Sequence, residues 1–322
     1  MAEQFINGYA LLIGVNENIN PTWALPEVEK DVKGLQNVLI HPERCAYLKE
    51  NVKVVLGKDS TRQNILEGLN WLGKKINDDK SKNATVVLFY SGHGQKDDSQ
   101  FPQYYLIPYD VNAKAFKSSA LRAGDFADGI NALKPQRLLV VLDCCHSGGM
   151  GLKGIESVTV FKRSAVPAQI FLPEAKGVSP HEGAKGLEVL TRGSGRAVLS
   201  SSQGEQYSYL RKDKTMSIFT YHLIEALTGH AQPQEGAKEV LVSDVMSYVW
   251  RKVPESVKAE YEGIQEPDYQ VSGNFPIALL LGGKGMTKGL QAPDPLEPLT
   301  LAINQTAQKI YNIGHIDKAD FS

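Results

Sequence analysis

The sequence predicts an α/β fold with a mostly parallel central sheet that is covered by helices on both faces. Two continuous apolar runs, residues 85–90 (TVVLFY) and 138–142 (LLVVL), have the composition that central parallel strands need when both of their faces are buried. Strand patterns also alternate with helical patterns along the chain, which favours parallel pairing. In sheets of this kind, active sites gather at the carboxyl ends of the strands.

The other elements are predicted from apolar periodicity and from capping signals. A capping-box signature at Ser60 and Gln63 predicts the start of a helix. Further strands are predicted at residues 10–15, 52–56, 197–200 and 275–281. Further helices are predicted at residues 27–40, 125–133, 217–227 and 243–253.

Composition and charge exclude several functional classes. The 322 residues include 35 Lys and Arg against 36 Asp and Glu, so the net charge of −1 gives no electrostatic reason to expect nucleic acid or an anionic membrane as a partner. No apolar run approaches the roughly 20 residues of a spanning helix, and the first residues lack a signal-peptide pattern. Three cysteines do not make a disulfide framework. We therefore expect a cytoplasmic protein.

Changes in composition and periodicity along the chain predict one domain interrupted by a loop. Residues 1–148 and 196–281 carry the strand and helix patterns of the domain. Residues 149–195 are rich in Gly, Lys, Ser and Pro and have no sustained period, which predicts a long mobile loop. Residues 282–322 are predicted to be a linker and a short tail.

Two motifs follow the central strands and can carry chemistry. SGHG includes His93, and DCCHSG includes Cys145. A thiol attacks an amide as thiolate, and a free Cys with a pKa of about 8.5 needs a base such as His to take its proton. The backbone N–H groups of Gly94 and Cys145 are candidate donors to an oxyanion, because turning chain leaves such groups unpaired. The pair predicts a thiol hydrolase.

Simpler interpretations of these residues must be weighed. A Cys at a strand end is commonly a small buried hydrophobe, and a lone His is commonly a satisfied surface or core residue. A zinc site built from Cys144, Cys145 and His146 is disfavoured, because adjacent side chains of an extended segment point to opposite faces and no second ligand pair completes a tetrahedron. We expect neither a metal nor a cofactor.

The order and spacing of several segments resemble those of the caspase-like cysteine peptidases, most closely the metacaspase branch and its bacterial members, the orthocaspases. The segments, between about residues 9 and 281, are YALLIGVN, FYSGHG, YLIPYD, LLVVLDCCHSGG, AVLSSSQGEQYSY and MSIFTYHLIEAL. The resemblance implies a caspase-like three-layer sandwich, in which residues 1–148 are similar to the large subunit and 196–281 to the small subunit. It also implies a catalytic dyad of His93 and Cys145 rather than the neighbouring Cys144 or His146.

Residue types and resemblance together predict cleavage after a basic residue. Asp143 lies two residues before Cys145, so both side chains lean to the same side of an extended segment. The resemblance implies that Asp31 shares the first specificity pocket and that Ser91 lines it. Two carboxylates favour a cation, and the planar fork of Arg meets them better than the point charge of Lys. The simpler alternative is that Asp143 caps a turn and that Asp31 is a solvated helix residue.

The segment Tyr207, Ser208 and Tyr209 can bind an extended peptide by strand addition, which predicts peptide or protein substrates. Two other functions stay open. One is a non-catalytic caspase-like scaffold that binds protein partners, and the other is a thiol hydrolase for a small molecule. Retention of both His93 and Cys145 favours the peptidase over the scaffold.

Further expectations follow from the resemblance. It implies self-cleavage in the loop 149–195, where we predict the Lys162–Arg163 pair as the processing site. Calcium-dependent metacaspases carry several spaced aspartates after the His motif, whereas this chain has only Asp97 and Asp98 there, so calcium independence is expected. The caspase-specific dimer is not implied, and a monomer is compatible with the resemblance.

Overall fold

A computed structural model of the chain describes residues 3–97, 100–101, 103–144, 146–147, 161–163, 195–203, 206–232 and 236–281. The predictions for Cys145, for most of the loop 149–195 and for the linker and tail 282–322 lie outside these residues. The described residues all belong to one compact unit, Met1–Met286.

The regular elements of the described residues alternate as the sequence predicts. In chain order the strands are β1 (Gly8–Gly14), β2 (Val52–Leu56), β3 (Thr85–Gly92), β4 (Gly94–Asp97), β5 (Tyr104–Leu106), β6 (Leu121–Arg122), β7 (Arg137–Cys144), β8 (His146–Ser147), β9 (Phe161–Arg163), β10 (Gly195–Ser200), β11 (Ser208–Tyr209), β12 (Glu239–Leu241), β13 (Asp268–Ser272) and β14 (Pro276–Leu279). The α-helices are α1 (Val28–Ile40), α2 (Arg62–Asp78), α3 (Phe116–Ser119), α4 (Ala123–Ala132), α5 (Ile218–Glu225) and α6 (Val242–Tyr261). None of these helices has the length and apolar character needed to cross a membrane.

Six strands form the central sheet in the order β13-β10-β7-β3-β1-β2. Five of these strands, β2, β1, β3, β7 and β10, run parallel to one another. The sixth, β13, joins β10 in antiparallel orientation at one edge. The predicted mostly parallel sheet is therefore confirmed. The edge strand β13 is not predicted, because its half-buried sequence DYQVS lacks a continuous apolar run.

Successive residues of β3 point into two different apolar cores, as the period of two along a strand requires. Val87 and Phe89 belong to the core that α1, α5 and α6 cover. Val86 and Leu88 belong to the core that α2 and α4 cover. Helices therefore cover both faces of the sheet, which is the predicted three-layer arrangement.

Several helix boundaries differ from the predicted ones, and two of the differences have a clear physical reason. Thr61, not Ser60, caps α2, because the Thr61 hydroxyl accepts the N–H of Asn64 at 3.2 Å while the Ser60 hydroxyl donates to a backbone carbonyl. Helix α6 continues to Tyr261 although it contains Pro254. Proline removes one backbone donor from a helix, and the buried apolar side chains on both sides of Pro254 keep the helix packed.

A smaller antiparallel sheet, in the order β6-β5-β4-β9, starts directly after β3. Its last strand, β9, lies in the range predicted as a loop. In the β4–β9 register, Gln95 is opposite Arg163 and Lys96 is opposite Lys162. The predicted processing pair is therefore part of an extended strand, because β4 offers these residues a pairing edge. The loop over residues 149–195 stays a prediction.

Candidate active site

The strands that carry the two motifs are neighbours in the central sheet. In the parallel β3–β7 ladder, Gly92 is the partner of Cys144. His93 and Cys145 are the next residues in the sequence. The expectation that these two strands lie side by side is confirmed, whereas Cys145 itself lies outside the described residues and its position stays a prediction.

His93 is held by hydrogen bonds to its ring and to its backbone. Its Nε2 atom lies 3.1 Å from the backbone carbonyl oxygen of Trp23, and its own carbonyl accepts a hydrogen bond of 3.2 Å from the Tyr90 hydroxyl. A carbonyl oxygen can only accept, so Nε2 carries the proton and Nδ1 is the basic nitrogen of the neutral ring. Only 7% of His93 is exposed. The ring therefore has a fixed orientation and a defined tautomer.

The carbonyl that orients His93 sits at the end of a short capped turn. Residues Pro21–Trp23 form a 3-10 helix, and the side chain of Asn20 accepts a hydrogen bond from its backbone. The Trp23 side chain is buried in a small apolar cluster with Tyr105 and Phe116. Packing and capping together hold this carbonyl in place.

Cys144 and Gly94 flank the predicted dyad. Cys144 is fully buried in the core between the sheet and α2, which agrees with a structural rather than a nucleophilic side chain. Gly94 is the first residue of β4 and pairs with Leu106 of β5. Its predicted role as an oxyanion donor stays a prediction.

Asp31 on α1 is fully buried, so it is not a solvated helix residue. Its Oδ1 accepts the backbone N–H of Ser217 at 2.9 Å, and its Oδ2 accepts the hydroxyl of Ser91 at 3.4 Å. The predicted neighbours Asp31 and Ser91 are thus in contact.

Asp143 near the end of β7 is also fully buried, and three hydroxyl groups donate to it. Ser208 donates to Oδ1 at 2.7 Å, and Ser217 and Thr220 donate to Oδ2 at 2.5 and 3.1 Å. Ser217 therefore contacts both Asp143 and Asp31, with its hydroxyl and its backbone N–H respectively. The structure brings together four of the residues predicted to bind substrate, and it joins them through a residue that was not predicted.

The predicted peptide-binding segment has internal partners on both of its edges. β11 pairs in parallel with β8, the residues His146–Ser147. The N–H of Tyr209 donates to Oε1 of the fully buried Gln265 at 2.9 Å, and Nε2 of Gln265 donates to the carbonyl of Ser201 at 2.9 Å. Tyr207 is 48% exposed. A peptide can add to β11 only if one of these internal partners leaves.

Sequence reasoning missed Ser217, Thr220 and Gln265. Ser217 has a detectable signal, because a Ser before an apolar helical run is a typical N-cap, and its hydroxyl accepts the N–H of Thr220 at 2.9 Å. Gln265 follows α6 and gives no such signal, because its partners are far away in the sequence.

No group of three or more His, Cys, Asp or Glu side chains within the described ranges could hold a metal ion. Asp97 is buried and already has protein partners: the Lys117 ammonium lies 3.1 Å from its Oδ2, and the N–H of Gln103 donates to its Oδ1 at 2.9 Å. Asp98 lies outside the described residues.

The sequence matches a known protein family over most of its length. The family model described as the caspase domain matches residues 7–275. A solved structure of pro-sf-caspase-1 covers 87% of this chain and 96% of its own length, with a TM-score of 0.42 and 12% sequence identity. No curated protein matches the sequence. Because the caspase-domain model matches most of its length, the chain belongs to the caspase-domain family of cysteine peptidases.

Proposed function

We propose that this protein is a cysteine endopeptidase of the metacaspase branch, similar to an orthocaspase, that cleaves peptide bonds after Arg and less efficiently after Lys. Its catalytic residues are His93 and Cys145. Family membership already implies peptide or protein substrates. The specificity, the dyad and self-processing are the parts that this proposal adds.

The orientation of His93 supports its role as the base. With Nε2 donating to the Trp23 carbonyl, Nδ1 is the nitrogen that takes the proton of the Cys145 thiol. The thiolate then attacks the scissile carbonyl carbon, and the resulting oxyanion is stabilised by the N–H groups of Gly94 and Cys145. His93 returns the proton to the leaving amine as the C–N bond breaks, and water hydrolyses the acyl-enzyme.

The convergence of two carboxylates on Ser217 is the observation that carries the specificity. Asp31 and Asp143 come from different elements, yet each accepts a hydrogen bond from this one residue. Asp143 is also the ladder partner of Ser91, two residues before His93. Two carboxylates beside the proposed dyad favour a guanidinium group, which binds both oxygens of a carboxylate in its plane.

The pocket must open before a substrate side chain reaches it. Both carboxylates are fully buried in this conformation, and β8 occupies one edge of β11. We take the displacement of β8 by the substrate backbone as the opening step, because it frees the strand that a peptide would join.

The test uses peptides that end in Arg, Lys or Asp before a reporter group. The wild type should cleave after Arg best, after Lys more slowly and after Asp not at all. Asp31→Asn and Asp143→Asn should lower kcat/KM for the Arg peptide about thirty-fold or more, since loss of one partner of a desolvated charge pair costs about 2–5 kcal/mol. Asp78→Asn, at an exposed site on α2, is the matched control and should match the wild type.

The buried pocket also favours a second candidate, a non-catalytic scaffold. Full burial of Asp31 and Asp143 and pairing on both edges of β11 are compatible with a domain that never admits a substrate. The same assay separates the two functions, because a scaffold would turn over none of the peptides, whereas cleavage after Asp would contradict the proposed pocket.

A further inference from the structure

A basic turn follows β11 directly. Residues 211–215 (RKDKT) form this turn, and Lys212 and Lys214 are exposed on it. The Lys30 ammonium, which comes from α1, donates to the backbone carbonyl of Lys214 at 3.0 Å. We define the basic turn patch as the two exposed lysines of this turn and the lysine that contacts its backbone (Lys30, Lys212 and Lys214).

The acidic residue of the turn is already neutralised. A guanidinium nitrogen of Arg211 lies 3.2 Å from Oδ2 of Asp213, and the Arg211 guanidinium also stacks on the Tyr221 ring at 4.0 Å. Burial acts to raise the pKa of Asp213, but hydrogen bonds from Thr215 and the charges of Arg211 and Lys30 lower it below its ordinary value. The carboxylate thus sits in a positive environment.

The ammonium groups of Lys212 and Lys214 form no ion pair with any described residue. The Nζ atom of Lys212 lies 5.8 Å from the Tyr261 ring centroid. Glu260 contacts this turn through the backbone N–H of Lys212, at 2.9 Å, rather than through the ammonium. Both ammonium groups can therefore meet a carboxylate on a bound peptide.

Two contacts indicate the direction in which a substrate would run along β11. The Ser208 hydroxyl donates to Asp143, and Ser208 is the ladder partner of His146, the residue that follows Cys145, so the Ser208 end of β11 is next to the strand that leads to the nucleophile. The scissile bond must lie at that end. The upstream residues of the peptide then run antiparallel to β11, toward Leu210 and the turn. With the basic residue opposite Ser208 and counted as the first, the third residue is opposite Leu210, and the fourth and fifth reach the turn.

We infer that preferred substrates carry Asp or Glu at the fourth and fifth positions, where the basic turn patch attracts them. The inference rests on the proposed peptidase function and defines its substrate class: peptides in which acidic residues precede the cleaved Arg by a short spacer. Exposed charge pairs of this kind contribute modestly and are screened by salt. The effect is therefore a preference rather than a requirement.

The test compares three Arg peptides that differ only at the fourth and fifth positions, which carry Glu-Glu, Gln-Gln or Lys-Lys. At low ionic strength, the Glu-Glu peptide should have a kcat/KM about three- to ten-fold higher than the Gln-Gln peptide, and the Lys-Lys peptide should be the poorest. The differences should shrink several-fold in about 0.5 M salt.

The double variant Lys212→Glu/Lys214→Glu should reverse the order of the three peptides. The matched control is Lys74→Glu/Lys80→Glu, which makes the same charge change at exposed positions in and just after α2 and should keep the wild-type order. Equal cleavage of all three peptides, or an unchanged order in the Lys212/Lys214 variant, would overturn the inference while the Arg specificity stands. Cleavage of none of them would instead remove the peptidase function.

Discussion

The hydroxyl of Ser217 donates a hydrogen bond of 2.5 Å to Oδ2 of Asp143 and so ties the start of α5 to the strand that leads to Cys145. The backbone N–H of Ser217 donates to Asp31 at the same time. A single residue therefore sets the separation of two carboxylates that come from elements far apart in the sequence.

Ser217→Ala should weaken Arg recognition in addition to its cost to the fold. The variant keeps the N–H that binds Asp31 but removes one of three hydroxyls on Asp143. Because a hydrogen bond to a charged group contributes about 1.5–3 kcal/mol, kcat/KM for the Arg peptide should fall about ten-fold or more, and the Arg-to-Lys ratio should shrink. Steady-state kinetics with both peptides measure this.

Thr61→Ala is the control, because it removes the N-cap hydroxyl of α2, a helix that covers the opposite face of the sheet from α1 and α5. Thr61→Ala should lose about 1 kcal/mol of stability from its helix cap. Ser217→Ala should lose more, because its hydroxyl both caps α5 and donates to the buried Asp143. If the Arg-to-Lys ratio were the same in both variants, the role of Ser217 in specificity would be refuted.

Much of the fold is predictable because the central strands can be recognised from their own short sequences. β3 and β7 are uninterrupted apolar runs, and such runs have few other stable placements than the middle of a covered sheet. β11 and β13 are different, because they are short or half-buried and become strands only through partners elsewhere in the chain. Sequence periodicity does not contain that information.

The residues of the candidate site also differ in how far the sequence predicts them. His93 and Asp143 stand at strand ends, where parallel sheets place their chemistry, so position alone marks them. Asp31 is found only through the family resemblance, since an acidic residue in a first helical turn usually faces solvent. Neither position in the sequence nor the family resemblance predicts Gln265. Its structural role depends on hydrogen bonds with Ser201, Ser208 and Tyr209, which form only after folding.

The dyad predicts two different results from three substitutions. Cys145→Ala and His93→Gln should each abolish peptide hydrolysis, and Gln at position 93 can still donate to the Trp23 carbonyl, so the fold should be kept. Cys144→Ala should retain most activity and lose about 1 kcal/mol of stability, because it leaves a small cavity in the core. Peptide kinetics and thermal unfolding measure both properties. An inactive Cys144→Ala beside an active Cys145→Ala would show that the nucleophile is misassigned.

Activity should not depend on calcium. A calcium ion takes six to eight oxygen ligands, and the Asp97 carboxylate is already bound to Lys117 and Gln103. Hydrolysis of the Arg peptide in excess chelator should therefore equal hydrolysis in about 1 mM calcium. A large stimulation by calcium would show that calcium binds through ligands other than Asp97 and Asp98.

Stability should fall in acid partly through Glu225. Its Oε2 contacts Nδ1 of His222 at 2.6 Å and the hydroxyl of Tyr248 at 3.0 Å, and Nε2 of His222 contacts the Ser256 hydroxyl at 2.7 Å. Burial acts to raise the pKa of Glu225, but the hydrogen bonds and charge of these partners hold it below its ordinary value. Because the folded pKa is the lower one, this stabilisation is complete above the unfolded pKa of about 4.3 and is lost as the pH falls through the folded pKa.

Glu225→Gln should therefore cost about 1 kcal/mol or more at pH 7 and should flatten the decline of Tm in acid. Thermal unfolding between about pH 2 and pH 7, in a Cys145→Ala background that prevents self-digestion, measures this. Glu50→Gln, at an exposed position, should give a curve parallel to that of the parent. Identical acid dependence in the Glu225 and Glu50 variants would contradict the assignment.

Self-processing is the last expectation, and the β4–β9 pairing constrains it. A peptidase draws its substrate in as a free extended strand, whereas Lys162 and Arg163 are already paired with Lys96 and Gln95. The pair must leave β4 before it can be cut, so cleavage should follow that release. Mass spectrometry of the incubated wild type should find a fragment that ends at Lys162 or Arg163, while Cys145→Ala should stay intact.

Substitution of the pair isolates this site from the other basic residues of the loop. Lys162→Gln/Arg163→Gln should remain a single chain for much longer than the wild type, while Lys176→Gln/Lys185→Gln, which makes the same charge change elsewhere in the loop, should be cut at the wild-type rate. Fragments that end only at other basic residues would mean that β9 keeps its place on β4 and that processing bypasses it. An uncut wild type with full activity would show that the enzyme works as a single chain. In that case the departure of β8 alone would be enough to free β11 for a substrate.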